Sequence, residues 1–483
     1  MTRVYRKDTI IVFLLLLLTF AYFYQDPSVN GSSRLSLIFA SVQEGRLSID
    51  DYYNKPGTIT GNDNAYYNGH YYSDKAIGPA VVGAIFYEPM YWIQQTFHHP
   101  SENTVKMILT FLVIGLPSAI AGTLMFILCL YLSKSRFRSY LVTLSITLGT
   151  LYLPYGVTFF SHQFTASLLF SAFFMIFFLK ENPKKRKGWY LFLIGLLLGF
   201  ALIGEYPAAI IILALVIYYL SIIWRNHDYR QWRSLILPLL GAIIPISLQL
   251  INNKLSFGGF FSIGYDNLQY QQYSAGMSQG IAGIGWPNLN ALYYMTFHPT
   301  MGVFWQSPVL ILAFIGAGFL FAQRQYREEA ILAACIICIY FVVLSGYYMW
   351  WGGYSVGPRH IIPALPFFFI FLVFVPKKLN WPFVGLSLVS IGQMIIVAAS
   401  TTQVPDKMIA KLGTIGYFGY SNIYDYCLKQ LTFYGNFNEN LGRLFLHLSS
   451  WVSLLPFAIA VAGFTLFFFW KELVNFLRPQ KRA

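Results

Sequence analysis

The chain has 483 residues, of which 56% are hydrophobic, 19% aromatic and only 11% charged. Average soluble domains carry about 25% charged residues, so this composition excludes a disordered chain, a coiled coil and an ordinary soluble multidomain enzyme. Four cysteines are too few for a disulfide framework. A net charge of +14 raises nucleic acid as a partner unless the 33 Lys and Arg have another explanation.

Crossing ~30 Å of hydrocarbon takes about 20 apolar residues. Twelve apolar runs approach that length: 8–25, 105–132, 139–158, 162–179, 188–204, 206–224, 234–251, 302–322, 329–348, 360–375, 381–400 and 450–470. The first follows Arg3, Arg6 and Lys7, and no small-x-small cleavage site succeeds it, so it reads as an uncleaved signal anchor. The run at 76–97 contains Gly78, Pro79, Glu88 and Pro89 and reads as an interfacial helix. The expected fold is therefore an all-α polytopic membrane protein. It is one domain over 1–483, with about twelve transmembrane helices and with interfacial helices in the first outer loop.

With the N-terminus inside, most basic residues fall in short inward segments: Lys134, Arg136 and Arg138; Lys180 and Lys184 to Lys187; Arg225, Arg230 and Arg233; Arg324 and Arg327; Lys377 and Lys378; Lys471, Arg478, Lys481 and Arg482. Acids within them are few, among them Asp8, Glu181, Asp228, Glu328 and Glu329. The positive-inside rule then explains the basic surplus as a topology signal, and nucleic acid is not expected as a partner. Both termini are expected in the cytoplasm, and the membrane is expected to be a bacterial inner membrane. Three outward segments are long, 26–104, 252–301 and 401–449, and rich in aromatic residues. Loops beyond about 15 residues are usually functional or disordered, which directs attention to the outer face.

In the first outer segment, Leu35, Ile38, Phe39 and Val42 recur at helical spacing within Ser33 to Glu44, predicting an amphipathic helix along the membrane surface. Asp50-Asp51, Asp63 and then Asn68-Gly69-His70-Tyr71-Tyr72-Ser73-Asp74-Lys75 follow. Asn-Gly between Tyr pairs is a hairpin signal. Acids and a lysine beside the bilayer suit chemistry on a charged lipid head group, and they equally suit a solvated loop.

The order of one apolar helix, a helix containing an Arg, Asn-Gly…Tyr-Tyr-Ser-Asp-Lys and an interfacial helix resembles the polyprenyl-phosphate-dependent glycosyltransferases of the GT-C superfamily. That superfamily includes protein O-mannosyltransferases and the aminoarabinose transferases of lipid A. The similarity extends to a bacterial branch with a T-G-x-D…G-H-Y-Y-S-D-K-A-P-G segment, which stands here from Thr60 to Gly78 with Ile77 in place of the Pro. On that resemblance Arg34 matches the Arg of the D-E-x-R-Y motif, and Lys75 the Lys that contacts the donor phosphate. Asp74 matches an acid beside that Lys. The acidic pair opening D-E-x-R-Y is absent, with Gly31 and Ser32 in its place. The turn at Phe160 to Ala166 also lacks the family's second acid. The usual catalytic carboxylate therefore has no counterpart at its own position.

Other outer motifs carry chemistry. Glu205, in Gly204-Glu205-Tyr206-Pro207, is an ionisable residue at membrane depth, a functional candidate by default. Trp350-Trp351-Gly352-Gly353-Tyr354-Ser355-Val356-Gly357-Pro358-Arg359-His360 combines stacking faces, glycines that permit close approach and an anion-binding guanidinium. Ser161-His162 and E-Y-P also occur in the resembling branch. In the second loop, Tyr265, Tyr270, Tyr273, Trp286 and Tyr293-Tyr294 suit either an aromatic acceptor or lipid groove or a packed cover; the third loop, with Asp406 and Asp425, shows no constellation. Cys335 and Cys338 form a mid-span C-x-x-C read as core packing, and Gly195-x-x-x-Gly199 marks close helix packing.

The functional expectation is transfer of a sugar from a polyprenyl-phosphate carrier to a glycan, lipid or protein acceptor at the outer face, amid membrane lipids. Catalytic candidates are Asp63 first, Asp50 second and Glu205; substrate-binding candidates are Arg34, His70, Tyr72, Lys75, His162, Arg359 and His360. A divalent metal ion at Asp74 is the one cofactor candidate. The alternatives are a lipid-linked polysaccharide ligase, which uses a pyrophosphate donor, and a transporter or flippase for a lipid-linked substrate.

Overall fold

The computed structural model describes residues 3–55, 58, 60–61, 63–96, 101–182, 187–226, 232–323, 325–409 and 419–477, with side chains described between 6 and 470. Lys184, Lys185, Arg186, Asp228, Arg230, Arg324, Arg478, Lys481 and Arg482 of the inward segments lie outside the described residues.

Each of the twelve apolar runs is helical, but they are not twelve equal spans. The chain begins with α1 (Arg3–Tyr22) and α2 (Val29–Phe39). A short hairpin follows, β1 (Ala65–Tyr67) and β2 (His70–Tyr72), and then α3 (Gly78–Thr96). Next come α4 (Glu102–Ser133), α5 (Arg136–Thr147), α6 (Ser161–Glu181), α7 (Gly188–Leu202), α8 (Tyr206–Arg225) and α9 (Arg233–Phe257). The remaining long elements are α10 (Pro308–Ala322), α11 (Arg327–Ser345), α12 (Arg359–Val373), α13 (Lys377–Ala399) and α14 (Ser450–Trp470). Among the described residues, α4, α6, α8, α9, α11, α13 and α14 are long and apolar enough to cross a membrane; α7, α10 and α12 are apolar but shorter. Run 139–158 breaks after Thr147, and its remainder is a turn and a five-residue helix. Run 360–375 begins as a 3₁₀ helix because Pro363 and Pro366 interrupt the α-helical hydrogen bonding.

The hairpin forms at Asn68-Gly69, whose φ values of 49° and 87° suit a tight two-residue turn, in the register Ala65↔Tyr72. Helix α2 differs from its expectation. It is no surface helix: every residue from Gly31 to Phe39 is buried, including Ser33, Arg34 and Ser36. It packs into a small core with Tyr87 of α3, Val113 of α4 and Phe159. Helix α3, on the run expected at the interface, has an exposed face that carries Ile85, Trp92 and Ile93. Cys335 and Cys338 point away from the core rather than into it, as an i,i+3 pair on one outward stripe of α11.

Helix α6 fixes the two ends of the bundle. Its 21 residues separate Ser161 from Glu181 by about 30 Å at a helical rise of about 1.5 Å per residue. At the Glu181 end, Arg136 forks onto Asp8 at 2.6 and 2.7 Å, tying α5 to α1. There too Lys180 bonds Glu329 at 2.5 Å and Glu328 at 3.1 Å, while Arg225 pairs with Glu328. Arg136, Lys180 and Arg225, all assigned to inward segments, thus gather at one end, and the Ser161 end holds a different chemistry.

Gly195 and Gly199 sit where α7 crosses α9. A Cβ at Gly195 would stand 1.7 Å from the Pro238 carbonyl oxygen, and one at Gly199 2.5 Å from Pro238's neighbour along the helix, Pro245. Gly195→Leu is therefore expected to destabilise the protein by about 1–3 kcal/mol, the range for overpacking, read as a lower melting temperature in detergent. An unchanged melting temperature would contradict this crossing.

Candidate functional site

Lys75 is the centre of the Ser161 end. Its ammonium donates to Asp63 Oδ1 at 2.6 Å and to Asp74 Oδ2 at 2.7 Å, and its side chain is only 6% exposed. The sequence folds so because three segments between long helices converge. The hairpin delivers Asp74 and Lys75, and Gly264 of the second loop lies against the Asp74 backbone, where a Cβ would come within 2.5 Å of Asp74 Cα. Gln269 N–H donates to Asn64 C=O at 3.0 Å, docking that loop beside Asp63. Gly78 N–H donates to Ile203 C=O at 2.7 Å, and a Cβ on Gly78 would meet Gly204 N at 2.9 Å. That close approach brings the Lys75 segment against the Gly204-Glu205 turn.

Glu205 anchors a second cluster. It accepts from Ser161 Oγ, stands 3.1 Å from His162 Nδ1 and lies 3.7 Å from Arg34. Arg34 also donates to Ser161 Oγ at 2.6 Å and to the Asn30 side chain. The turn at Phe160 to Ala166, which has no acid of its own, thus meets a carboxylate from the turn between α7 and α8, a pairing invisible in the linear sequence. Ser161 and Asn30 were not among the expected site residues.

Arg359 follows Gly352, Gly353 and Gly357, all at positive φ (86°, 73° and 71°), which an L side chain adopts only with strain. Its guanidinium lies over the Phe160 ring at 4.8 Å and has no carboxylate partner among the described residues; its buried Nε lacks a hydrogen-bond acceptor. The His360 ring stands edge-on to His162 at 5.0 Å and to Tyr347 at 5.2 Å, and its Nε2 is likewise buried and unpartnered. One cavity is bordered by Asp63, Asp74, Lys75, Arg359 and His360, with Asn30, Tyr265, Tyr347 and Gln403.

Asp50, His70 and Tyr72 are not brought there. Asp50 Oδ2 lies 2.8 Å from His70 Nδ1, and Oδ1 accepts the Tyr71 N–H at 2.7 Å. Tyr72 packs on Phe257 with ring centroids 5.4 Å apart. These residues fasten the hairpin and do not line the cavity.

Burial pushes the Asp74 carboxyl up to about 6; Lys75 pulls it down and the Asp63 charge pushes it further up. Burial depresses the Lys75 ammonium, yet Asp63 and Asp74 outweigh it and hold Lys75 above its ordinary value. Burial likewise raises Glu205, against Arg34 and the Ser161 hydroxyl. Among the described residues no three His, Cys, Asp or Glu side chains group as metal ligands, and Asp63 and Asp74 instead share the Lys75 ammonium. This donor set does not fit the divalent cation expected at Asp74.

Comparison with known proteins gives no matching family model and no significantly similar curated protein. Among solved structures, ArnT from Cupriavidus metallidurans bound to undecaprenyl phosphate is similar at 11% identity and a TM-score of 0.45. The match covers 83% of this chain and 64% of that one, so this chain spans under two thirds of that protein's length. At that distance no residue role transfers.

Below pH 6 Asp74 takes up a proton and Lys75 loses one of its two anionic partners. Activity is expected to fall through an acid limb near pH 6, by about tenfold per pH unit below it. Asp74→Asn lacks that anion at every pH, so it is expected to be slow throughout and to show no limb near pH 6. A pH–rate profile identical in the variant would contradict this role for Asp74.

Proposed function

We propose that the protein is a GT-C-type glycosyltransferase that moves a sugar from a polyprenyl-phosphate carrier to an acceptor hydroxyl at the outer face of a bacterial plasma membrane. The observation that carries this reading is the convergence of Lys75 and Arg359 on one cavity beside Asp63, Arg359 having no carboxylate partner among the described residues. A buried or half-buried cation without an anion is costly unless a ligand supplies one. The motifs around Thr60 to Gly78 and Trp350 to His360 support the same reading.

Lysine has three N–H donors. Asp63 and Asp74 take two at Lys75, leaving the third for a phosphate oxygen. Arg359 offers a planar fork to a second oxygen. The acceptor oxygen attacks the anomeric carbon, and the bond from that carbon to the phosphate oxygen breaks with its electron pair leaving on the phosphate. Lys75 and Arg359 stabilise that growing negative charge. The acceptor's proton passes to Asp63, the more open of the paired carboxylates at 16% exposure against 1% for Asp74. Asp74 holds Lys75 in place, and Glu205 positions Arg34 and His162. Polyprenyl phosphate is the leaving group, and the carboxylate faces an oxocarbenium-like centre as in glycoside hydrolysis.

Transfer from a labelled polyprenyl-phosphate sugar in detergent tests this directly. Lys75→Ala and Arg359→Ala are expected to lower kcat/KM by about 10²-fold or more, the scale for lost transition-state charge stabilisation. Asp63→Ala is expected to cost about 10²–10⁴-fold. Full activity in all three, or preference for a pyrophosphate-linked donor, would overturn the assignment and favour a ligase.

A further inference from the structure

A second hollow adjoins the phosphate cavity and differs from it in chemistry. Tyr270, Tyr273, Tyr348, Trp351, Tyr354 and Asp406 border it, and Tyr273, Tyr348 and Tyr354 form the shared wall with the inner cavity. It is the roomier of the two, about 370 Å³ against about 100 Å³. Among the described residues no Lys or Arg lines it, whereas Lys75 and Arg359 line the inner one. The chemistry therefore changes across the shared tyrosines, from ion-paired groups and a guanidinium without a carboxylate partner among the described residues to an aromatic lining with one acid.

Its walls also lie off the membrane-crossing helices. Tyr348, Trp351 and Tyr354 follow the end of α11 at Ser345, and Asp406 follows the end of α13 at Ala399. Tyr270 and Tyr273 belong to the second outer loop, where their rings meet edge to face at 4.9 Å. Tyr354 is 48% exposed and Asp406 is exposed, so the hollow opens to water.

We infer that this hollow is the acceptor site and that it takes a carbohydrate. Tyrosine and tryptophan present a large apolar face with a polar edge, which suits the C–H face of a sugar ring together with its rim of hydroxyls. Asp406 accepts hydrogen bonds from such hydroxyls, and at the shared wall one of them is delivered toward Asp63. A lipid acceptor would need a wall continuous with the hydrocarbon, and a phosphorylated acceptor would need a cation in the lining. The assignment as acceptor rests on the glycosyl-transfer reading; the saccharide site itself is tested without it.

Saturation-transfer NMR on the full chain in detergent, without donor, is the experiment, with maltotriose, cellotriose and triacetylchitotriose as probes. At least one is expected to bind, and Tyr354→Ala and Asp406→Asn are each expected to weaken it by about fivefold or more. Both side chains are exposed, so both variants are expected to fold, and binding of undecaprenyl phosphate is expected to be unchanged in Asp406→Asn, whose side chain does not border the inner cavity. No binding by any of the three, affinity unchanged in both variants, or Tyr354-dependent binding of a Ser/Thr peptide in their place would overturn the inference. Saccharide binding with no undecaprenyl phosphate binding would instead sink the donor reading and leave the saccharide site standing.

Discussion

A buried ammonium needs anions around it, and Lys75 obtains two through the convergence of otherwise separate segments. Asp74 is its chain neighbour, but Asp63 reaches it only because the hairpin at Asn68-Gly69 turns the chain back. The segment after Lys75 is in turn pressed against the Gly204-Glu205 turn, with no room for a Cβ on Gly78. The same contact that places Lys75 therefore places Glu205, and through Glu205 both Arg34 and His162. The placing of Glu205, Arg34 and His162 at the Ser161 end is thus tied to the segment that carries Lys75.

The two ends of the bundle treat charge differently. At the Glu181 end, basic residues pair with acids on neighbouring helices and lock elements together, as Arg136 does with Asp8 and Lys180 with Glu329. At the Ser161 end Lys75 and Arg359 line a cavity, and Arg359 rests on an aromatic ring with no carboxylate partner among the described residues. Such an arrangement leaves electrostatic capacity for a ligand, whereas the opposite end has used its own. Lys75 and Arg359 are the part of the +14 that faces the cavity.

Local signals in the sequence were strong where a short-range rule governs the backbone. Asn68-Gly69 predicted its hairpin and Gly195-x-x-x-Gly199 its helix crossing. Motif spacing brought Asp63, Asp74, Lys75, Arg359 and His360 forward as site candidates, and they share one cavity. What was not legible depends on tertiary contact. The apolar stripe of α2 implied a surface helix because sequence cannot show that α3, α4 and Phe159 bury its polar side as well. Asp50 and His70 resembled site residues yet bond each other on the hairpin. The Glu205–Ser161 pairing and the place of Asp406 in the outer hollow join residues from distant turns, and no periodicity encodes either.

Native mass spectrometry of the purified chain with undecaprenyl phosphate and with undecaprenol, which share a tail and differ in the phosphate, tests the central claim most directly. Two charge-assisted hydrogen bonds to phosphate predict that the wild type prefers the phosphorylated lipid by about 100-fold, and that Lys75→Met and Arg359→Met each lose most of that preference. Equal binding of the two lipids by the wild type, or a preference untouched in both variants, would contradict the account.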